Sequence, residues 1–479
     1  MEIGSKGYIL PKANVDKNHL ALINKELKVT PYIVGDFGQR PKPFKVYTED
    51  DTNYYLPRYW GIKHFGIPKT INYEHSMDSM DMTFNGDLRP YQQEIINKLD
   101  KVFYTKDKLN KYGGGVVSIP PGGGKTVIAI SYACKLNLKT LIIVHKSFLL
   151  DQWVERLQQY TDTSIGIIRQ DKVQVEKKEV VIAMLQTLLS RDYDDILKQF
   201  PVVIFDEAHH LAAEAFSQVL QKTCAPYMIG LTATPERSDR LEKIFYWNIG
   251  ELQYRSEQKK ETRKAIVKMY YFRCEDPKFK SEFNKWNQKI NMPKMITNIV
   301  EIKERNDLII NIIKETLENE PERKIFVLTN RRAHIDDLHQ RLKDIYPDDV
   351  GLYIGGMKKE KLKESEEKTI ILGTYEMASE GLDIQDLDTL ILATPKSDIV
   401  QSIGRIMRKE EADYINIPLI VDIVDRLDVF YGMSYKRKRI YTQNKYEIQT
   451  FNLGKSDKPI IQPVNDESDE DSEKDLFDD

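Results

Sequence analysis

The sequence predicts an α/β protein of two parallel-sheet lobes in tandem, with a small N-terminal domain before them and a disordered acidic C-terminal tail after them. Three observations predict it. From about residue 88 onward, short β-branched runs alternate with helix-spaced segments, as in strands covered on both faces by crossover helices. A Pro/Gly turn, "PPGGGKT" at 120–126, joins one such strand to one such helix. The alternation pauses near 250–305 and then resumes, which divides it into two.

The bulk properties narrow the class. A chain of 479 residues has room for roughly three domains. Its 41% hydrophobic and 30% charged residues belong to a globular protein. No apolar run reaches the roughly 18 residues of a membrane helix, and "MEIGSKGYILPK" lacks the apolar core of a secretory signal. Cys134, Cys224 and Cys274 are odd in number and far apart, which fits a reducing compartment with no disulfide framework. The expected setting is intracellular and soluble. The net charge of −3 hides an asymmetry: the last fifteen residues hold nine acids and one lysine. Such an end reads as a solubilising tail, as a mimic of nucleic acid that competes for a basic groove, or as a docking tail for a partner.

In chain order, residues 1–85 are aromatic-rich without βα alternation and read as a separate small domain for nucleic-acid or partner binding. Tyr54, Tyr55, Tyr59 and Trp60 are assigned to its core. Residues 86–250 form lobe 1, with strands expected at 116–119, 140–144, 180–183, 202–205 and 228–234. Residues 251–305 are a basic connecting region. Its stretch 254–294 carries twelve Lys/Arg against five Asp/Glu, interleaved with Tyr270, Tyr271, Phe272, Phe283 and Trp286. That suits phosphate contact with base stacking, or solvated lysines around core aromatics. Residues 306–450 form lobe 2, with strands near 324–330, 368–374, 389–394 and 418–423, and 451–479 form the tail.

A Gly-rich turn between strand and helix points backbone N–H groups inward, and the helix N-terminus adds a positive dipole. Pro120, Pro121, Gly122, Gly123 and Gly124 build that turn. Lys125 neutralises terminal phosphates, and Thr126 offers a hydroxyl to Mg²⁺. Ile119 stands where the usual pattern has Gly, so the loop is a variant. "VVIFDEAHH" ends a buried strand with Asp206, which can hold Mg²⁺, and Glu207, which can polarise an attacking water. His209 is either a core histidine or a coupling residue. Thr232 and Thr234 in "GLTATPERSDR" can hydrogen-bond toward Asp206 and His209, or the run is a plain β-turn. In "QSIGRIMR", Arg405 and Arg408 lie three apart on one helical face.

Taken in order, "LRPYQQE", "PPGGGKT", "DEAH", "TAT" and "QSIGRIMR" resemble a superfamily 2 DExH-box helicase. "GLTATPERSDRLEKIFYWNIG" and "GTYEMASEGLDIQDLDTLILATP" resemble its XPB-like branch. The opening "GYILPK" and "LPRYWGIKHFG" are similar to proteins of large DNA viruses related to the poxvirus transcript-release helicase. The resemblance implies two RecA-like lobes, ATP and Mg²⁺ as cofactors, 3′→5′ travel along DNA or RNA held mainly by its backbone, and transcription-machinery partners. In a viral setting it implies the virion or host cytoplasm.

The same resemblance carries roles onto single residues. Arg89 and Gln92 contact adenine; Glu380, Gly381 and Asp383 sense nucleotide; Gln401 bridges nucleotide and lobe; Arg405 and Arg408 act as fingers on the γ-phosphate. The strand is held by Lys146, Gln152, Trp153 and Gln186 from lobe 1, and by Asn330, Arg331, Gly355 and Thr374 from lobe 2. Met184 stands where the family often has Thr. The competing readings are a motor that remodels complexes without processive unwinding, a nucleotide-gated binding module, and another P-loop machine such as a transporter ATPase.

Overall fold

The computed structural model describes residues 1–32, 41–103, 113–120, 123–212, 214–237, 239–256, 264–286, 288–380, 384, 386–407, 414–452 and 460–461. The acidic tail expected at 451–479 falls almost wholly outside them. The chain divides into two compact units, Met1–Glu257 and Gln258–Asp479.

In the first unit the sheet order is Lys172–Val173, Ile165–Arg169, Val180–Met184, Thr140–Val144, Val202–Phe205, Tyr227–Thr232, Gly114–Ser118 and Leu252–Arg255. All neighbours are parallel except the outermost hairpin, Ile165–Arg169 with Lys172–Val173. The inner strands are buried throughout, because parallel crossovers lay helices on both faces. Tyr227–Thr232 is flanked by Gly114–Ser118 and by Val202–Phe205. Three motif-bearing strand ends therefore share one edge, where α/β sheets bind ligands.

Residues 1–85 do not stand apart from lobe 1. They form a five-stranded sheet of their own, but Tyr8, Leu10 and Trp60 share one apolar core with Phe245, Ile249 and Met228. Arg58 is buried at this junction. Its Nη1 donates to Tyr73 Oη at 2.8 Å and to the Ala225 carbonyl at 2.9 Å, while Tyr59 lies under its guanidinium. Gly61 is required here, since a Cβ would lie 2.2 Å from Tyr8 Cγ. Trp60 is in the core as expected.

The second unit has the order Val350–Tyr353, Ile370–Thr374, Ile325–Thr329, Thr389–Leu392, Leu419–Asp425, Ile266–Phe272, Glu447–Asn452 and Ile460–Ile461. The expected connecting region is mostly not a connector. Leu252–Arg255 edges the first sheet, and Ile266–Phe272 lies inside the second, parallel to both neighbours. Tyr270 and Phe272 are thereby core residues.

Two ion pairs lie inside this second unit. Arg305 donates to both oxygens of Asp425 at 2.6 and 2.9 Å, with neither side chain exposed. Arg437 grips Asp422 twice at 2.8 Å, and Tyr441 Oη adds a third donor at 2.9 Å. Desolvated charges are tolerated only as completed pairs. Breaking one by Arg305→Met is expected to destabilise the unit by about 3–5 kcal/mol, whereas Arg305→Met with Asp425→Leu costs far less; chemical denaturation of the three proteins measures the difference.

His334 is buried beside them. Asn306 Oδ1 lies 3.0 Å from its Nε2 and Thr329 Oγ1 lies 2.9 Å from its Nδ1. The amide oxygen can only accept, so Nε2 carries the proton and Nδ1 accepts from the hydroxyl. Burial, reinforced by Arg305, holds its pKa down at about 3. The unfolded imidazole takes a proton near pH 6.5 that the folded one refuses. The second unit's stability should therefore fall as pH drops from about 6.5 toward 3. Melting curves across that range test this, and His334→Gln should remove that part of the pH dependence.

Candidate active site

The phosphate loop leaves the strand Gly114–Ser118 and enters the helix Lys125–Leu136. Gly124 has φ +74°, and a Cβ there would lie 2.4 Å from Gln92 Nε2. Backbone strain and lack of space both require glycine at this point. Gln92 is buried; its Oε1 accepts from the Arg89 N–H at 2.8 Å, which turns the amide nitrogen toward Gly124. Tyr91 Oη donates to the Gly123 carbonyl at 2.8 Å. That residue was not singled out in the sequence, although it sits within "LRPYQ". The variant Ile119 is buried, and a Cβ on Gly123 would meet its Cγ2 at 2.3 Å. An apolar wedge thus supports the turn where the usual pattern has glycine. Pro120 accepts from the Gly123 N–H at 3.1 Å, and Pro121 and Gly122 lie outside the described residues.

Lys125 Nζ meets Glu207 Oε1 at 3.0 Å, both side chains being largely buried. Glu207 has φ +48°, a left-handed conformation that costs a non-glycine residue about 1–3 kcal/mol and clusters at functional sites. Its N–H donates to Asp206 Oδ1 at 3.0 Å. Asp206 Oδ2 accepts from Trp153 Nε1 at 2.8 Å. Burial, then the charge of Glu207, pushes the Asp206 carboxyl up, while Lys125 and the Trp153 donor pull it back.

His209 Nδ1 lies 3.4 Å from Glu207 Oε2 and 3.1 Å from Thr232 Oγ1. Burial lowers its pKa and so favours the neutral ring. Thr232 Oγ1 in turn donates to the Thr234 carbonyl at 3.1 Å and accepts from its N–H at 3.2 Å. Arg237 donates to the His209 carbonyl and is fixed by Asp239. Lys125, Asp206, Glu207, His209, Thr232 and Thr234 thus form one connected set at the sheet edge, with Trp153 and Arg237 as members that motif reading had not placed there. Thr126 sits in the first turn of the helix, partly exposed. Arg89 is exposed.

Trp153 corrects an expectation. Assigned to strand binding, it is instead 1% exposed, inside the lobe 1 core, with its N–H spent on Asp206. It has no face for a nucleobase. Among the other candidates of the first unit, Lys146 and Gln152 are partly exposed around the start of the helix Ser147–Tyr160. Gln186 is exposed and donates to the His145 carbonyl at 2.6 Å. Met184 ends its strand buried.

In the second unit Thr329 pairs with Thr374 across parallel strands, so Asn330 and Thr374 lie at adjacent strand ends. Gly355, two residues past the end of the neighbouring strand Val350–Tyr353, is exposed with open space where a Cβ would go. Asn330 Nδ2 donates to the Pro395 carbonyl at 3.1 Å. Arg331 reaches the Pro293 carbonyl at 2.7 Å and Thr297 Oγ1 at 3.2 Å, at the rim of a cavity of about 320 Å³. Arg405, on the helix Val400–Ile406, donates through Nε to the Ala378 carbonyl at 2.7 Å. It is thereby tied to the helix Tyr375–Glu380. Gln401 is partly exposed on the same helix as Arg405. Arg408, Gly381, Asp383 and the Glu380 side chain lie outside the described residues.

Two family descriptions match the chain: "Type III restriction enzyme, res subunit" over residues 85–237 and "Helicase conserved C-terminal domain" over residues 305–410. A candidate ATP-dependent RNA helicase of Acanthamoeba polyphaga mimivirus is 38% identical over 472 residues, covering 96% of this chain and 88% of that protein. The DNA 3′–5′ translocase XPB2 of Sulfurisphaera tokodaii is 23% identical over 423 residues, covering 80% and 92%. Among solved structures, a fragment of a candidate HsdR subunit of a type I restriction enzyme from Vibrio vulnificus YJ016 aligns with TM-score 0.53 and 16% identity, covering 77% and 70%.

Replacing Trp153 with Phe deletes one donor to a buried carboxylate and leaves a smaller ring in the core. The expected cost is about 1–3 kcal/mol, read as a lower melting temperature, and the Asp206 carboxyl should move further up.

Proposed function

We propose a mechanism from one premise: the chain belongs to the superfamily 2 helicases. It is an ATP-dependent motor on nucleic acid, and the observation that carries its chemistry is the Lys125–Glu207 contact at the mouth of the glycine turn. The loop suits a triphosphate: it opens a helix whose N-terminus offers backbone N–H groups and a positive dipole, and Gly124 makes the turn into that helix where a Cβ would collide with Gln92. The phosphates compete with Glu207 for the Lys125 ammonium. Once released, the Glu207 carboxylate can accept a proton from the water that attacks the γ-phosphate. The strained backbone at Glu207 aims that group, and Asp206 steadies it through its N–H.

Thr126 and Asp206 would hold Mg²⁺ through oxygen, and the ion when bound would neutralise charge on the phosphates. Each Asp206 oxygen keeps a lone pair beyond its described hydrogen bond.

Coupling runs from Glu207 through His209 to Thr232 and Thr234, whose contacts form one chain. Arg405 and Arg408 supply positive charge to the transition state, the role that the resemblance gives them; Arg405 also braces the helix that ends at Glu380. Asn330, Arg331, Gly355 and Thr374 hold the strand's backbone from one edge of the second sheet, independently of sequence. Lys146, Gln152 and Gln186 do the same from the first. Travel is 3′→5′, and the cellular role is viral transcription or a DNA transaction.

A second reading rests on the similarity to a named translocase: transcript release or complex remodelling without processive unwinding. Strand-displacement and ATPase assays run side by side separate the two.

Glu207→Gln is expected to lower nucleic-acid-stimulated ATP hydrolysis by about 100-fold or more while ATP still binds. Phosphate release and nucleotide-binding titrations test this, and turnover close to that of the parent protein would overturn the assignment.

A further inference from the structure

The aromatic residues of the basic stretch 254–294 divide sharply. Tyr270 and Phe272 are core residues of the second sheet. Trp286 is 99% exposed and Phe283 is 52% exposed. The other three tryptophans of the chain, Trp60, Trp153 and Trp247, are buried or packed against the first unit's core. An indole brings a large apolar area, and leaving all of it in water forgoes a stabilisation that every other Trp here takes up.

Trp286 also has a built support. Phe283 and Ile290 face each other across an antiparallel bridge. The Asn284 N–H donates to Lys289 O at 2.7 Å, the Gln288 N–H to Asn284 O at 3.0 Å and the Asn291 N–H to Glu282 O at 2.7 Å. Below this hairpin, Glu282 Oε1 accepts from Asn298 Nδ2 at 3.2 Å, and Phe279 packs edge-on against Phe272. Ile290 and Met292 join the same apolar cluster as Met295 and Ile299. The base of the hairpin is therefore anchored to the fold, and its tip carries the bare ring.

Charge selects what the ring meets. Residues 278–291 contain four lysines and one glutamate. Lys278 is paired with Glu301 at 2.8 Å, while Lys280 is exposed just before the hairpin's base and Lys285 is exposed at its tip, next to Trp286. A flat π-face amid positive charge matches a flat group that carries a negative charge beside it, which describes a nucleobase on its phosphate backbone. We propose that the hairpin built by residues 282–286 and 288–291 is a base-stacking finger, with Trp286 stacking on an unpaired base of the bound strand and Lys280 and Lys285 drawing in the adjoining phosphates. The proposal rests on the reading of the chain as a nucleic-acid motor and adds to it a contact with bases rather than backbone.

The test uses the full chain, single-stranded DNA and RNA oligomers, and an abasic oligomer of equal length and charge. Intrinsic tryptophan fluorescence is followed in the parent protein, Trp286→Phe and Trp286→Ala. Base-bearing strands are expected to quench the parent protein's emission, and the abasic strand is not. Trp286→Ala should bind base-bearing strands about tenfold more weakly and the abasic strand unchanged, with Trp286→Phe between them; the DNA and RNA arms show which strand the finger prefers. The melting temperature of Trp286→Ala should equal the parent's, since the ring is 99% exposed and leaves no cavity. If no polynucleotide stimulates hydrolysis by the parent protein, the motor reading itself fails. If hydrolysis is stimulated but emission does not change, or base-bearing and abasic strands behave alike, the finger is wrong and the motor stands. A tip that serves a protein partner instead gives that same unresponsive emission.

Discussion

A carboxylate taken out of water at the end of a buried strand must be given donors, and the first unit is arranged around that demand at Asp206. The Trp153 indole and the Glu207 N–H supply them at 2.8 and 3.0 Å. The second of these is available because Glu207 accepts a left-handed backbone. The same turn brings the Glu207 carboxylate onto Lys125. Local strain, a buried acid and an ammonium on the glycine turn are thus parts of one arrangement. It exists because three parallel strands end side by side. Moving any of them by one residue would separate the groups.

The second unit meets a similar demand with different means. Asp422 and Asp425 are buried along the strand Leu419–Asp425 and are neutralised by Arg437 and Arg305 from flanking helices. These pairs pin the helices Lys303–Asn319 and Asp428–Gln443 to the sheet. They give the unit a rigid frame on whose edge Asn330, Gly355 and Thr374 stand exposed or partly exposed. Arg405 belongs to the same frame through the Ala378 carbonyl.

Aromatic residues mark the difference between frame and contact. Trp60 and Trp153 are spent on cohesion, the first in the core that residues 1–85 share with lobe 1, the second beneath Asp206. Trp286 is held out from an anchored hairpin. No composition argument separates these cases, because each lies near polar or charged neighbours in the chain.

Much of the fold, and the clustering of the candidate site's residues at one sheet edge, was legible in the residues themselves. Buried strands announce themselves by β-branched runs, and the phosphate loop by glycines between strand and helix, because both are local consequences of backbone geometry. Lys125, Asp206, Glu207, His209, Thr232 and Thr234 lie together as their strand ends require. What depends on long-range pairing was not legible. Residues 266–272, read as a connector, are an inner strand, since parallel partners at 419–425 and 447–452 come from far along the chain. Residues 1–85 share a core with lobe 1 because Arg58 and Trp60 find partners more than 150 residues away. Trp153, placed on the strand by motif position, faces inward because its helix packs that face against the sheet. Local chemistry follows from sequence spacing; which face a side chain shows, and to whom, is settled only when distant segments close on one another.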